Sequence, residues 1–182
     1  IATMLCAELS AQVNQITPVP NSVEVSNTKF DATQTLKLYI GVKGADAKRL
    51  ETAAKATGLN LKRVKCPAKR GYLNLTLEGQ FNNSEEYTLA INEDGITINA
   101  LTPAGHFYGL QTLRQLVENN PDGEWITCEI NDYPRFEYRS LLIDVSRHFR
   151  SVDFLKRQID MMARLKFNHL HLHLTDAAGW RM

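Results

Sequence analysis
The sequence predicts an α/β protein in two parts. Residues 13–132 are expected to form a small α+β domain, a mostly antiparallel sheet with two helices, and residues 133–182 a β–α–β unit. Three observations carry this. From Arg139 to Met182 an apolar run, an amphipathic helical pattern and a second strand follow one another. Before residue 131 come several short alternating segments, two of them joined by Asn92-Glu93-Asp94-Gly95, a hairpin signal. Between the two parts lies Asn131-Asp132-Tyr133-Pro134, a linker whose proline marks the boundary.

Residues 1–12 are mildly apolar and rich in small side chains, and read as a secretory signal-peptide remnant or a tail. On that basis a secreted or periplasmic location is expected. Thr17 to Pro20 is extended, since residues before proline avoid the helical region. Val23 to Val25 and Lys29-Phe30 read as two short strands, and Leu36 to Val42 as another. Asp46 to Thr57 reads as a helix with Leu50, Ala53, Ala54 and Thr57 on one side and Gly58 as its stop. Leu59 to Val64 has no clear period. The run Lys62, Arg63, Lys65, Lys69 and Arg70 reads as a solvated loop, because no aromatic residue interleaves with it.

Tyr72 to Leu77 places Leu73, Leu75 and Leu77 on one face, a half-buried strand. Glu86 to Ile91 and Ile96 to Ala100 form the hairpin, with positive φ expected from Asp94-Gly95. Thr102 caps a helix to Glu118, with Pro103 at its favoured first position. His106 is expected either at the surface or close to that cap. Trp125 to Ile130 is the last strand of this part.

In the second part Leu141, Leu142, Ile143 and Val145 form an apolar run that suits a parallel strand buried on both faces. Ser146, Arg147 and His148 follow it. Ser151 caps the next helix, Asp153 lies in its first turn, and Val152, Leu155, Ile159 and Met162 recur on one face. The second strand runs from His169 to Leu174 and ends in Thr175 and Asp176. Two parallel strands joined by a helix cross over right-handedly, so both polar clusters share the carboxyl edge, where α/β folds bind ligands. Arg147, His148 and Asp176 are therefore expected to converge; the alternative is a plain structural ion bridge between Arg147 and Asp176. His169, His171 and His173 alternate on one strand face, and that spacing alone also admits a zinc site.

Composition narrows the function. With 21 basic and 20 acidic residues the formal net charge is +1, which makes no electrostatic case for nucleic acid or an anionic membrane. No apolar run approaches the ~20 residues of a membrane span. Cys6, Cys66 and Cys128 are too widely spaced for a disulfide framework or a metal site, and are expected to be buried or inert.

The strings YRSLLIDVSRHF, Lys166-Phe167-Asn168 and LHLHLTDAAGWR resemble the start of the catalytic barrel of glycoside hydrolase family 20, the β-N-acetylhexosaminidases. The arrangement ahead of them, ending in GLQTLRQL, resembles the non-catalytic domain that precedes that barrel. The resemblance implies that residues 133–182 begin a truncated (β/α)8 TIM barrel. It implies retaining hydrolysis of terminal, non-reducing N-acetylhexosamines of a glycan or glycoconjugate, without metal or cofactor. Arg147 would hold sugar hydroxyls in the −1 subsite, and His173 and Asp176 would belong to the polar shell around the catalytic carboxylates. Ser140 departs from the glycine usual in the family, and Ala177-Ala178 from its Asp-Gln.

The family's catalytic pair is an adjacent Asp-Glu on a later strand. Its Glu is the general acid, and its Asp steadies the 2-acetamido group whose oxygen attacks the anomeric carbon, the substrate-assisted route. No Asp-Glu dipeptide occurs in this chain, and Glu85-Glu86 precedes the barrel portion. The pair is expected downstream and the 182-residue chain by itself inactive. Two other readings stay open: a non-enzymatic carbohydrate-binding or assembly module, and a related glycosidase such as a lacto-N-biosidase.

Overall fold
A computed structural model describes residues 15–177 and 179–180, so the leader reading of residues 1–12, Cys6 and Ala178 lie outside it. The chain separates into two compact units, Ile1–Pro134 and Arg135–Met182.

In the first unit seven strands form one sheet: β1 (Ser22–Asp31), β2 (Leu36–Ile40), β3 (Leu61–Arg63), β4 (Tyr72–Thr76), β5 (Tyr87–Asn92), β6 (Gly95–Ala100) and β7 (Glu124–Asp132). Their order is β1-β7-β5-β6-β4-β2-β3. The mostly antiparallel expectation holds for one half only. The pairings from β1 to β6 are antiparallel, and those from β6 to β3 are parallel. The parallel half arises because β2 reaches β3 through helix α1 (Ala45–Lys55), and β3 reaches β4 by crossing over β2. The two short strands expected near the start are one strand, β1, whose register shifts between Val25 and Lys29.

One sheet face carries the core. Leu36, Leu38, Leu73, Leu75, Leu89, Ile96 and Ile98 are at most 1% exposed. They pack with Leu50 and Ala54 of α1 and with Leu110, Leu113 and Leu116 of α2 (Pro103–Asn119). Both helices thus cover the same face. The opposite face of β4 is buried too, contrary to the half-buried expectation. The 65–71 crossing lies there, and Asn74 Nδ2 donates to the Ala68 carbonyl at 3.4 Å. Leu77, expected inside, lies beyond the strand and is exposed.

The 92–95 turn works differently from the expectation. Gly95 has no positive φ. Instead Asn92 Oδ1 accepts the amides of Asp94 at 3.0 Å and Gly95 at 2.9 Å. Gly95 is required by packing: a Cβ there would fall 2.7 Å from the Tyr72 ring and carbonyl oxygen.

Thr102 Oγ1 caps α2 by accepting the Gly105 amide. Of the two places expected for His106, the structure has the one beside the cap, and there the side chain is fully buried. Its Nδ1 lies 3.0 Å from the Thr102 carbonyl and its Nε2 2.9 Å from that of Thr76. The reason is the glycine before it: a Cβ on Gly105 would stand 2.5 Å from the Glu86 carbonyl, so the helix starts tight against the sheet. Burial pushes the His106 imidazole below its ordinary value. Asp132, read as linker, belongs to β7 and pairs with Tyr87. Its carboxylate accepts from the Tyr87 hydroxyl at 3.0 Å and from Asn21 Nδ2 at 3.1 Å. Cys128 is buried, with its thiol pushed up to about 11 by desolvation; Cys66 is exposed.

The second unit holds β8 (Ser140–Asp144), α3 (Val152–Arg164), β9 (His169–His173) and a two-residue ribbon of β10 (Thr175–Asp176) with β11 (Gly179–Trp180). Strands β8 and β9 are parallel, in a register that pairs Asp144 with His173. Arg139 sets that register. Its Nε donates to the Lys166 carbonyl at 2.6 Å, and its own carbonyl accepts the amides of Asn168 and His169. Asn168 Oδ1 in turn accepts the Arg139 amide at 3.0 Å. Lys166 adopts φ +60°, which turns the chain out of α3 into β9.

Ser151 caps α3 as expected, accepting the Phe154 amide at 3.2 Å. The inward face is shifted from the expected one. Met162 is buried and Leu155 and Leu165 are half-buried, while Val152 and Ile159 are 65% and 48% exposed. The apolar arc of α3 is wider than the strip two strands can cover. For the same reason β8 is not buried on both faces: Leu142 is 57% exposed. Two strands and one helix supply a single covering layer.

Candidate functional site
The carboxyl ends of β8 and β9 gather the polar residues of the second unit. Asp144, the last residue of β8, folds back on the turn it begins. Its Oδ1 accepts the amides of Ser146 and Arg147, each at 3.0 Å. Its Oδ2 accepts a close bond from Arg147 Nε. From the end of β9, Asp176 Oδ2 stands 3.5 Å from Arg147 Nε and 3.2 Å from His173 Nε2. Asp176 Oδ1 accepts the Ala177 amide at 2.7 Å. Ser146 Oγ donates to the Gly179 carbonyl at 2.8 Å and ties the β10–β11 ribbon to the end of β8. A Cβ on Gly179 would lie 2.5 Å from the Ser146 carbonyl, so only glycine permits that approach.

Of the residues singled out in the sequence, the structure brings together Arg147, His173 and Asp176. His148 is exposed and joins no bond of this network among the described residues. The three alternating histidines diverge in their partners: His169 Nδ1 lies 2.7 Å from Asn168 Oδ1, and its ring packs 4.5 Å from that of Tyr138. Among the described residues no three His, Cys, Asp or Glu side chains gather as metal ligands. The member that sequence reasoning missed is Asp144, which interrupts an apolar run. A carboxylate three residues ahead of an arginine at a strand exit is a local turn signal.

The electrostatics follow from these contacts. The Arg147 amide, with its guanidinium, holds the Asp144 carboxyl below the ordinary range. The Ala177 amide does most to lower Asp176, helped by His173 and Arg147. Asp144 in turn raises the Arg147 guanidinium. Two carboxylates therefore stay ionised around one cation, and neither suits a general acid, which must carry a proton near neutral pH. Arg147 engages them through Nε; its side chain is 64% exposed, and its terminal nitrogens make no bond among the described residues. Such a group offers oriented donors to a ligand rich in hydroxyls.

A β–α–β unit with a charged cluster at its strand ends defines the class of α/β proteins that bind their ligand at that edge. The family is equally plain. Residues 13–133 match the model described as glycosyl hydrolase family 20, domain 2, and residues 136–182 that of the family 20 catalytic domain. This chain belongs to glycosyl hydrolase family 20. It is 34% identical to the N,N'-diacetylchitobiase of Vibrio harveyi over 166 residues, 91% of this chain and 19% of that protein. It is 44% identical to the beta-N-acetylhexosaminidase of Cellulomonas fimi over 100 residues, 54% of this chain and 20% of that protein. The solved structure of Streptomyces plicatus N-acetyl-beta-hexosaminidase with Thio-NAglucal superposes with a TM-score of 0.79 at 35% identity, covering 93% of this chain and 36% of that one. The chain thus spans about a fifth of the length of the curated relatives it matches.

Proposed function
We propose that the whole protein is a β-N-acetylhexosaminidase that removes terminal, non-reducing N-acetylhexosamines from glycans with retention. The observation that carries this is Arg147, held through Nε by two ionised carboxylates with its terminal nitrogens available at the strand ends. In this reading Arg147 grips the hydroxyls of the terminal sugar by charge-assisted hydrogen bonds. Asp176 and His173 orient that grip and the neighbouring catalytic groups, and Asp144 pins the guanidinium from the other side. The proton donor and the group that steadies the 2-acetamido oxygen are an Asp-Glu pair elsewhere in the protein, since both carboxylates here are held ionised. The matched relatives carry the names chitobiase and hexosaminidase, which supports the same substrate class. A glycan-processing role outside the cytoplasm fits the small, apolar first residues. No helix among the described residues is long and apolar enough to cross a membrane.

Hydrolysis of a chromogenic N-acetyl-β-glucosaminide tests the reading. The whole protein is expected to release the chromophore and the 182-residue chain to release none. Activity in the short chain alone overturns the proposed division of labour. Inactivity of both, with the whole protein folded, overturns the hexosaminidase reading.

A further inference from the structure
The sheet of the first unit has a second face that the two helices leave uncovered, and the fold collects unpaired lysines on it. Lys37 on β2 is the register partner of Lys62 on β3, so the two side chains leave the same face of adjacent strands. Adjacent strands lie about 4.8 Å apart, and like charges placed directly opposite cost stability. Both lysines are exposed. The crossing between β3 and β4 runs over this same face, as the Asn74–Ala68 bond shows. It brings Lys65 and Lys69, and it ends at Gly71, whose carbonyl accepts the Lys37 amide at 2.8 Å. Among the described residues none of these four lysines has an acidic partner in an ion pair; Arg70, in the same crossing, is answered by Asp94 at 2.9 Å.

In sequence, residues 62–70 look like a solvated loop. The tertiary structure adds Lys37, from 25 residues earlier than Lys62, directly beside the run. The chain as a whole carries a net charge of only +1, so the concentration is local. Beyond the lysines the same face continues across β4, β6, β5 and β7 with two hydrogen-bonded pairs in a row, Thr76 with Asn99 and Thr88 with Asn131, and its acidic residues Glu129 and Glu24 stand on β7 and β1, at the far side of the sheet from the lysines. Hydroxyl and amide groups in a row suit a polymer rich in hydroxyls. Among the described residues of these strands no exposed ring lies on this face to stack a base: Tyr72 is 9% exposed and Tyr39 is half-buried.

We propose that this face is a binding surface for an anionic polysaccharide, sulfated or carboxylated, whose acidic groups lie on Lys37, Lys62, Lys65 and Lys69. The surface is independent of the hydrolase reading, since it uses no residue of the second unit. Its role is to hold an acidic glycan by long-range, salt-sensitive attraction.

The test is equilibrium binding of the full chain to dextran sulfate at low ionic strength, with neutral dextran as the comparison. The wild-type chain is expected to bind the sulfated polymer and not the neutral one, and to release it as salt rises. The double variant Lys37→Gln/Lys62→Gln is expected to bind about tenfold more weakly. Its thermal midpoint should be equal to or above that of the wild type, because a like-charged pair has been relieved. The variant Lys48→Gln/Lys156→Gln removes the same charge elsewhere and should bind as the wild type does. Equal loss in both variants, or no loss in the first, overturns the site. Tighter binding of a single-stranded oligonucleotide than of dextran sulfate overturns the assignment to a polysaccharide.

Discussion
The two units of this chain solve opposite problems. The first buries a continuous face of leucines and isoleucines under two helices and closes its polar interior with paired groups such as Tyr87 and Asp132. The second exposes much of its apolar surface, including Leu142, Val152 and Ile159, and spends its order on a clamp at one strand end and a charged cluster at the other. Stability is concentrated where the sheet is wide enough to be covered, and chemistry where strands end. A two-stranded sheet needs further covering layers before its hydrophobic faces stabilise it.

The largest effect that separates the units is truncation in the core. Leu73→Ala, at a site with no exposure, is expected to cost about 2–5 kcal/mol in urea denaturation, because a cavity is left in a packed layer. Leu142→Ala in β8 should cost less than about 0.5 kcal/mol. Similar costs at both positions would break the comparison. Hydrogen exchange sharpens it: amides of β4, β5 and β6 should exchange far more slowly than those of β8 in dilute solution.

Next in size is Arg147→Lys in the whole protein. The thermal midpoint should hold, while kcat/KM falls about 100-fold, since a point charge cannot reproduce a planar fork aimed by two carboxylates. A variant that loses stability and keeps activity would assign Arg147 to structure alone. Tyr87→Phe in the first unit should cost about 1–3 kcal/mol, by leaving the buried Asp132 and Thr112 short of a partner.

The smallest effect is in acid. Burial holds His106 below its ordinary value, so the unfolded chain binds the proton more tightly than the folded one. Its contribution is complete above the unfolded value of about 6.5 and is lost as pH falls through the lower folded value. Asp144 and Asp176 are also lowered by their partners, so their contribution is present above about 3.9 and is lost below it. Denaturation followed across pH should therefore show the first unit weakening before the second. A His106→Gln variant that keeps the early slope would refute the assignment to His106.

Much of this was legible along the chain because it is local. The Thr102 and Ser151 caps, the antiparallel pairing of β5 with β6, the parallel β8–β9 pair and the meeting of Arg147 with Asp176 follow from hydrogen-bonding rules and periods within a few dozen residues. Tertiary structure decided what depends on distant neighbours. It buried His106, because Gly105 lets α2 begin against β5, and carried β7 on through Asp132, because Tyr87 waits for that carboxylate. It turned half the sheet parallel, because crossovers carry β2 to β3 and β3 to β4, and β4 then pairs with β6 rather than β5. It also gave Asp144 a role, since a carboxylate inside an apolar run acquires meaning only once the strand ends and the next turn folds back onto it. Local propensities specify elements; which face of each is covered is set by what else packs there, and a short window of sequence does not contain that information.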